Sequence, residues 1–154
     1  MGEDHFKWIT FCIELAKNAR EQDEVPVGAI LVNSDQIIGQ GYNCRESVGR
    51  TVAHAEIMAL EDYSRSSGKW RVDPGTSLYV TCEPCLMCTG ALLWARVENI
   101  YFGCPDPKQA GIGRVLTMIK NGTFDHRFST VSGGILKETC AALLSDYFLM
   151  KRKK

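Results

Sequence analysis

The chain has 154 residues, 45% of them hydrophobic, which is enough for one globular domain spanning 1–154 with a substantial core and no need of disulfide staples. Eighteen basic residues balance 18 acidic ones; this excludes a whole-protein field toward nucleic acid or an anionic membrane, so any polyanion site must be local. Charged residues interrupt the first twenty positions and no apolar run approaches bilayer length, so neither a secretory signal nor a membrane span is expected, and the expected location is the cytoplasm.

Phe6, Ile9, Cys12, Ile13, Ala16 and Ala19 recur at helical spacing and predict an amphipathic helix over 4–20. The apolar run 25–32, the turn residues Asn33-Ser34-Asp35 and then Ile37 and Ile38 predict a two-stranded hairpin, followed by polar, irregular chain over 43–52. A helix is predicted over 54–65, with Ile57, Leu60 and Tyr63 facing inward and Gly68 beyond its end. A strand over 77–81 is broken by Glu83-Pro84, a helix follows over 85–95, and the next strand is 99–102. Strands and helices alternate here, which favours a mostly parallel sheet clad by helices. Pro105, Pro107, Gly111 and Gly113 mark a loop before a short helix over 115–119. A last strand is predicted over 128–131 and a last helix over 136–150, ending in the basic tail Lys151-Arg152-Lys153-Lys154.

Seven cysteines without a secretory signal are not a disulfide framework. Cys12 and Cys140 sit in helical apolar patterns and read as core, where a free cysteine packs as a small hydrophobe. Cys85 and Cys88 are different. They lie three apart at the start of a helix that Pro84 suits as an opener, so both thiols share one face near amide groups that favour the thiolate. A lone C-x-x-C also suits a redox pair or half of a structural zinc site. His54, with Glu56 two residues on, supplies the missing partners. One His and two Cys are a known catalytic zinc set whose fourth position stays open for water. Residues two apart on a regular helix diverge by about 200°, so Glu56 is a poor co-ligand of His54 and is better cast as the acid/base. Zinc lowers the pKa of bound water from about 16 to roughly 7, and H-x-E combined with P-C-x-x-C is the signature of zinc deaminases of nucleobases. Cys82 extends the motif to C-x-x-C-x-x-C, yet Cys104 follows Cys88 after 15 residues rather than the three of an iron-sulfur run. Cys82 is expected as a wall of the site.

Val25-Pro26-Val27-Gly28-Ala29, Gly41-Tyr42-Asn43, Ala53-His54-Ala55-Glu56-Ile57-Met58-Ala59-Leu60, Leu78-Tyr79-Val80-Thr81, Glu83-Pro84-Cys85 with Met87-Cys88, and Cys140-Ala141-Ala142-Leu143-Leu144 follow one another in order. In these blocks the sequence resembles the bacterial tRNA adenosine deaminases over almost its whole length. The resemblance implies a three-layer α/β/α cytidine-deaminase-like fold with a central five-stranded mixed sheet. It also implies one Zn2+ per chain, a homodimer, and conversion of the wobble adenosine of a tRNA anticodon to inosine with release of ammonia. It further implies that Asn43 holds the substrate's sugar or base edge, that the Ala55 amide contacts the base, and that Asp106 sits in a loop meeting the flanking nucleotides. Asp125-His126-Arg127 is similar to the family's Asn-His-Arg stretch.

The departures leave the zinc residues untouched and bear on substrate choice. Arg50-Thr51-Val52 stands where the family usually has Asp-Pro-Thr, Cys82 replaces a Leu, Trp94-Ala95-Arg96 is similar to guanine deaminases, and Cys88-Thr89-Gly90-Ala91 to fungal cytosine deaminases. A deaminase of a free base or nucleoside, guanine or cytosine, therefore stands as the second enzymatic reading, favoured by the neutral charge. A non-catalytic zinc or RNA-binding module is the third, opposed by the intact Glu56.

Overall fold

Alternation of apolar side chains on both faces makes Gly28–Asn33 (β1) a central strand: Ala29 and Leu31 enter one core, Ile30 and Val32 the other. The computed structural model describes residues 2–108, 111–118 and 124–153. A tight turn through Ser34 and Asp35, both in the left-handed region at φ 50° and 59°, reverses the chain into Gln36–Tyr42 (β2), which pairs antiparallel with β1. The remaining strands are Ser77–Cys82 (β3), Asn99–Cys104 (β4) and Thr130–Ser132 (β5), and the sheet order is β2-β1-β3-β4-β5.

The first helix is Gly2–Glu21 (α1), and the helix Ala55–Ser67 (α3) carries the chain from β2 over β1 to β3. β2 and β3 thus run the same way with β1 antiparallel between them, while β4 and β5 add in parallel. Four of the five strands run one way, yet two of the four pairings are antiparallel, so the sheet is the five-stranded mixed sheet that the resemblance implied. The cause is the opening hairpin, which places a reversed strand between β2 and β3.

Helices cover both faces. α1 and Lys137–Arg152 (α6) bury Ile9, Cys12, Cys140 and Leu144 against Ile30 and Tyr79. α3, Leu86–Trp94 (α4) and Ile112–Met118 (α5) pack Ala59, Leu92 and Ile112 against Leu31, Val80 and Ile100. Cys12 and Cys140 are core residues, at 0% and 1% exposure.

Three local expectations change. The stretch 43–52 contains one helical turn, Arg45–Val48 (α2), held by the buried Glu24, which accepts from the Glu46 and Ser47 amides and the Ser47 hydroxyl. The inward face of α3 is Ala55, Ala59 and Tyr63, with Ile57 only half-buried, because the helix lies so close to β2 that Gly39 and Gly41 face its backbone. The terminal helix takes in Lys151 and Arg152. Lys151 pairs with Asp23 at 2.6 Å and the Tyr147 hydroxyl donates to the Asp23 carbonyl at 3.1 Å, so the start of the basic tail is part of the fold. The predicted helix 115–119 lies at Ile112–Met118, and its residue 119 falls outside the described residues, as does Lys154.

Candidate metal centre and active-site cleft

Two helix N-termini converge on one end of the sheet. His54 is the N-cap of α3, with extended backbone at φ −74° and ψ 157°, and Cys85 is the N-cap of α4, extended at φ −77° and ψ 180°. Cys88 sits one turn into α4 and is fully buried. Both sulfurs lie 3.6 Å from His54 Nδ1, and the three ligand atoms are within 4.8 Å of one another. Because His54 is outside the regular helix, the 200° argument that separates it from Glu56 does not apply as stated. Extended backbone at position 54 aims the imidazole at the thiols, while Glu56 follows helical geometry.

The electrostatics of this group suit a cation. Hydrogen bonds from Cys88 and His54 pull the Cys85 thiol down to about 3 against the opposing effect of burial, so one sulfur is held as the thiolate that binds metal. The hydrogen bond it donates to Cys85, and then burial, push the Cys88 thiol up. His54 is raised in turn by its hydrogen bond with Cys85. Two sulfurs and one imidazole, with no further ligand in the group among the described residues, fit tetrahedral zinc with a fourth position left for water.

Glu56 is 4% exposed. Burial, reinforced by the Cys85 charge, raises its carboxyl to about 7, near the operating pH that serves a proton shuttle best. A cleft of about 230 Å³ opens beside it and is lined by His54, Ala55, Glu56 and Cys85 together with Asn43 and Asp106. Asn43 is buried and its backbone N–H donates to the Val27 carbonyl at 3.1 Å. Cys82 is a wall of the cleft, and its thiol donates to Cys104, its register partner on β4, which raises Cys82 and lowers Cys104. Of the Asp125-His126-Arg127 stretch, His126 is anchored by donating to the Val97 carbonyl at 2.6 Å.

The zinc-binding region of cytidine and deoxycytidylate deaminases matches residues 2–104. The chain belongs to the cytidine and deoxycytidylate deaminase family. It is 42% identical over 142 residues to the tRNA-specific adenosine deaminase of Bacillus subtilis, covering 92% of this chain and 87% of that protein. It is 37% identical over 149 residues to the enzyme of the same name from Haemophilus influenzae, covering 96% and 85%. A solved structure from a study of A-to-I editing by tRNA:A34 deaminases superposes with a TM-score of 0.81 at 33% identity, covering 90% of this chain and 99% of that one. The chain is thus a zinc-dependent hydrolytic deaminase.

The deaminase's cleft also contains residues that sequence reasoning missed. Leu144 and Phe148 reach it from α6, and Arg45, Glu83 and Lys108 line it from three separate segments. Arg45 lies two residues after Asn43 and Lys108 two residues after Asp106, so proximity to those residues was the available signal. Leu144 and Phe148 carried none, since core spacing accounts for both.

Proposed function

We propose that the deaminase converts the wobble adenosine of a tRNA anticodon to inosine, with His54, Cys85 and Cys88 holding one Zn2+ and Glu56 moving the protons. Zinc held there supplies Lewis acidity that brings the pKa of water from about 16 to about 7. Glu56 takes one proton from the attacking water and gives it to the purine ring nitrogen N1 as the C6–O bond forms; it then takes the remaining proton from the new C6 hydroxyl and gives it to the amine as the C6–N bond breaks, leaving the C6 carbonyl and releasing ammonia. Asn43 and the Ala55 amide orient the base, and the loop bearing Asp106 meets the nucleotides beside it. Cys82 shapes the wall that the base passes.

The observation that carries this reading over a free-base deaminase is the pair of cations in the cleft. Exposed Arg45 and Lys108 line the same cleft as the metal group, alongside the carboxylates of Glu56, Glu83 and Asp106. Phosphates flanking a splayed-out nucleotide need such cations, and a free base does not. The relatives' names point the same way. We read the chain as a cytoplasmic homodimer, a reading supported by Leu86 and Trp94 on α4, 60% and 62% exposed. Among the described residues no helix is long and apolar enough to cross a membrane.

The test is inosine formation in an anticodon stem-loop, measured beside free adenosine, guanine and cytosine. The stem-loop is expected to react, with activity falling as salt rises because phosphate contacts release counterions, and free adenosine is expected to be poor. Brisk guanine or cytosine turnover with inert stem-loops would replace this reading with the free-base one.

A further inference from the structure

Glu83 follows β3 directly, and its amide donates to the Cys104 carbonyl at 2.9 Å, which fixes its root at the end of the β3–β4 ladder. From there the side chain reaches the loop after β4. Its Oε1 accepts the Asp106 amide at 3.0 Å, and Asp106 Oδ1 accepts the Lys108 amide at 2.9 Å, so one carboxylate sets the path of Asp106-Pro107-Lys108. The far end of the loop closes on the same group. A Cβ on Gly111 would lie 2.2 Å from the Glu83 carboxylate, and Gly111 itself forms an antiparallel bridge with Cys85. Glu83, Asp106, Pro107 and Lys108 all line the cleft.

A carboxylate there opposes binding of a polyanion, so its place in the cleft calls for a compensating role. We infer that Glu83 is a positioning residue: its carboxylate is the strut that holds the Asp106-Pro107-Lys108 loop in the geometry that receives the substrate. The inference rests on the proposed contact between that loop and the substrate. The strut acts through an accepted hydrogen bond, so its acceptor oxygen matters and its charge does not. A glycine at 111 is required because any larger residue displaces the carboxylate. Alanine at 111 adds a single methyl whose three nearest neighbours are all atoms of the Glu83 carboxylate, so its effect is read through Glu83.

The test measures KM, kcat and zinc content on an anticodon stem-loop for full-length E83A, E83Q, G111A, E83A/G111A and D106A. E83A is expected to raise KM up to about tenfold, the scale of one lost hydrogen bond, with kcat and zinc content unchanged. E83Q keeps the acceptor and is expected to retain nearly the parent KM. G111A is expected to raise KM as E83A does, yet to add nothing in the E83A background, where the space it needs is already free. If D106A raises KM and E83A does not, the strut is refuted while the loop contact stands. If D106A also leaves KM unchanged, the loop contact fails and the inference with it. Loss of zinc or of kcat in E83A at constant KM would reassign Glu83 to supporting Cys85, and an E83Q as impaired as E83A would also overturn the inference. Should E83A fail to fold, E83Q and G111A decide.

Discussion

Gly41→Ala tests how the fold sets the distance between the two halves of the metal group. His54 and Glu56 ride on α3, whereas Cys85 and Cys88 ride on α4. α3 rests on β2 at Gly39 and Gly41, where a Cβ on residue 41 would lie 2.5 Å from Met58 Cβ, 2.7 Å from the Ala59 nitrogen and 2.8 Å from the Met58 carbonyl carbon. Ordinary contacts between such atoms are about 3.5–4.0 Å. Two of the three atoms are backbone, so no rotamer change relieves the clash and the helix must retreat by about 1 Å. Overpacking of this kind costs about 1–3 kcal/mol. At about 2–4 °C per kcal/mol for a chain of this size, Tm falls by about 2–12 °C. A shift of about 1 Å moves His54 and Glu56 relative to the two sulfurs, and misplacement on that scale costs up to about 100-fold in turnover. The assay is thermal unfolding of the zinc-loaded protein, chelator competition for zinc, and stem-loop turnover, each compared with Gly113→Ala, where a Cβ meets nothing within 4 Å. The reasoning fails if Gly41→Ala matches Gly113→Ala in Tm and in zinc retention.

Glu56→Gln is expected to keep zinc and fold while losing about 100-fold to 10,000-fold in kcat; near-parental turnover would remove Glu56 from the proposed chemistry. His54→Ala and Cys85→Ala are expected to lose zinc and, since metal binding is coupled to folding, to unfold at lower temperature, whereas full zinc occupancy in both would show the ligand set to be wrong. Glu24 tests the support beneath the Asn43–Arg45 segment. Burial pushes its carboxyl up, but hydrogen bonds from Ser47 and Glu46 and the nearby Arg45 hold it below 4.5. A depressed folded value contributes stability above the unfolded pKa and loses it as pH falls through the folded one. Glu24→Gln should therefore lower stability by about 1.5–3 kcal/mol at pH 7, with the gap narrowing in acid; an equal gap at pH 7 and pH 3.5 would refute the assignment.

Zinc chemistry was legible because its signals are short. Cys85 and Cys88 stand one turn apart after a proline, and His54 and Glu56 stand two apart at a helix start, so spacing alone restricts where each side chain goes. Hydrophobic period likewise located the strands and helices to within a few residues. Spacing misled where the backbone leaves its period: His54 and Cys85 are extended caps, and the face of α3 follows the glycines of β2 rather than its largest apolar residues.

The sequence by itself pointed to the ligand types, to the proposed proton carrier and to the order of the main strands and helices, since each signal lies in residues within a turn or two of one another. Tertiary structure decided the rest. It reversed β1 within the sheet, brought Leu144 and Phe148 into a cleft about 90 residues after His54, tied Lys151 to Asp23, and laid Glu83 beneath Asp106. Such contacts join segments whose separation along the chain carries no periodic signal, so only the path of the folded backbone could bring them together.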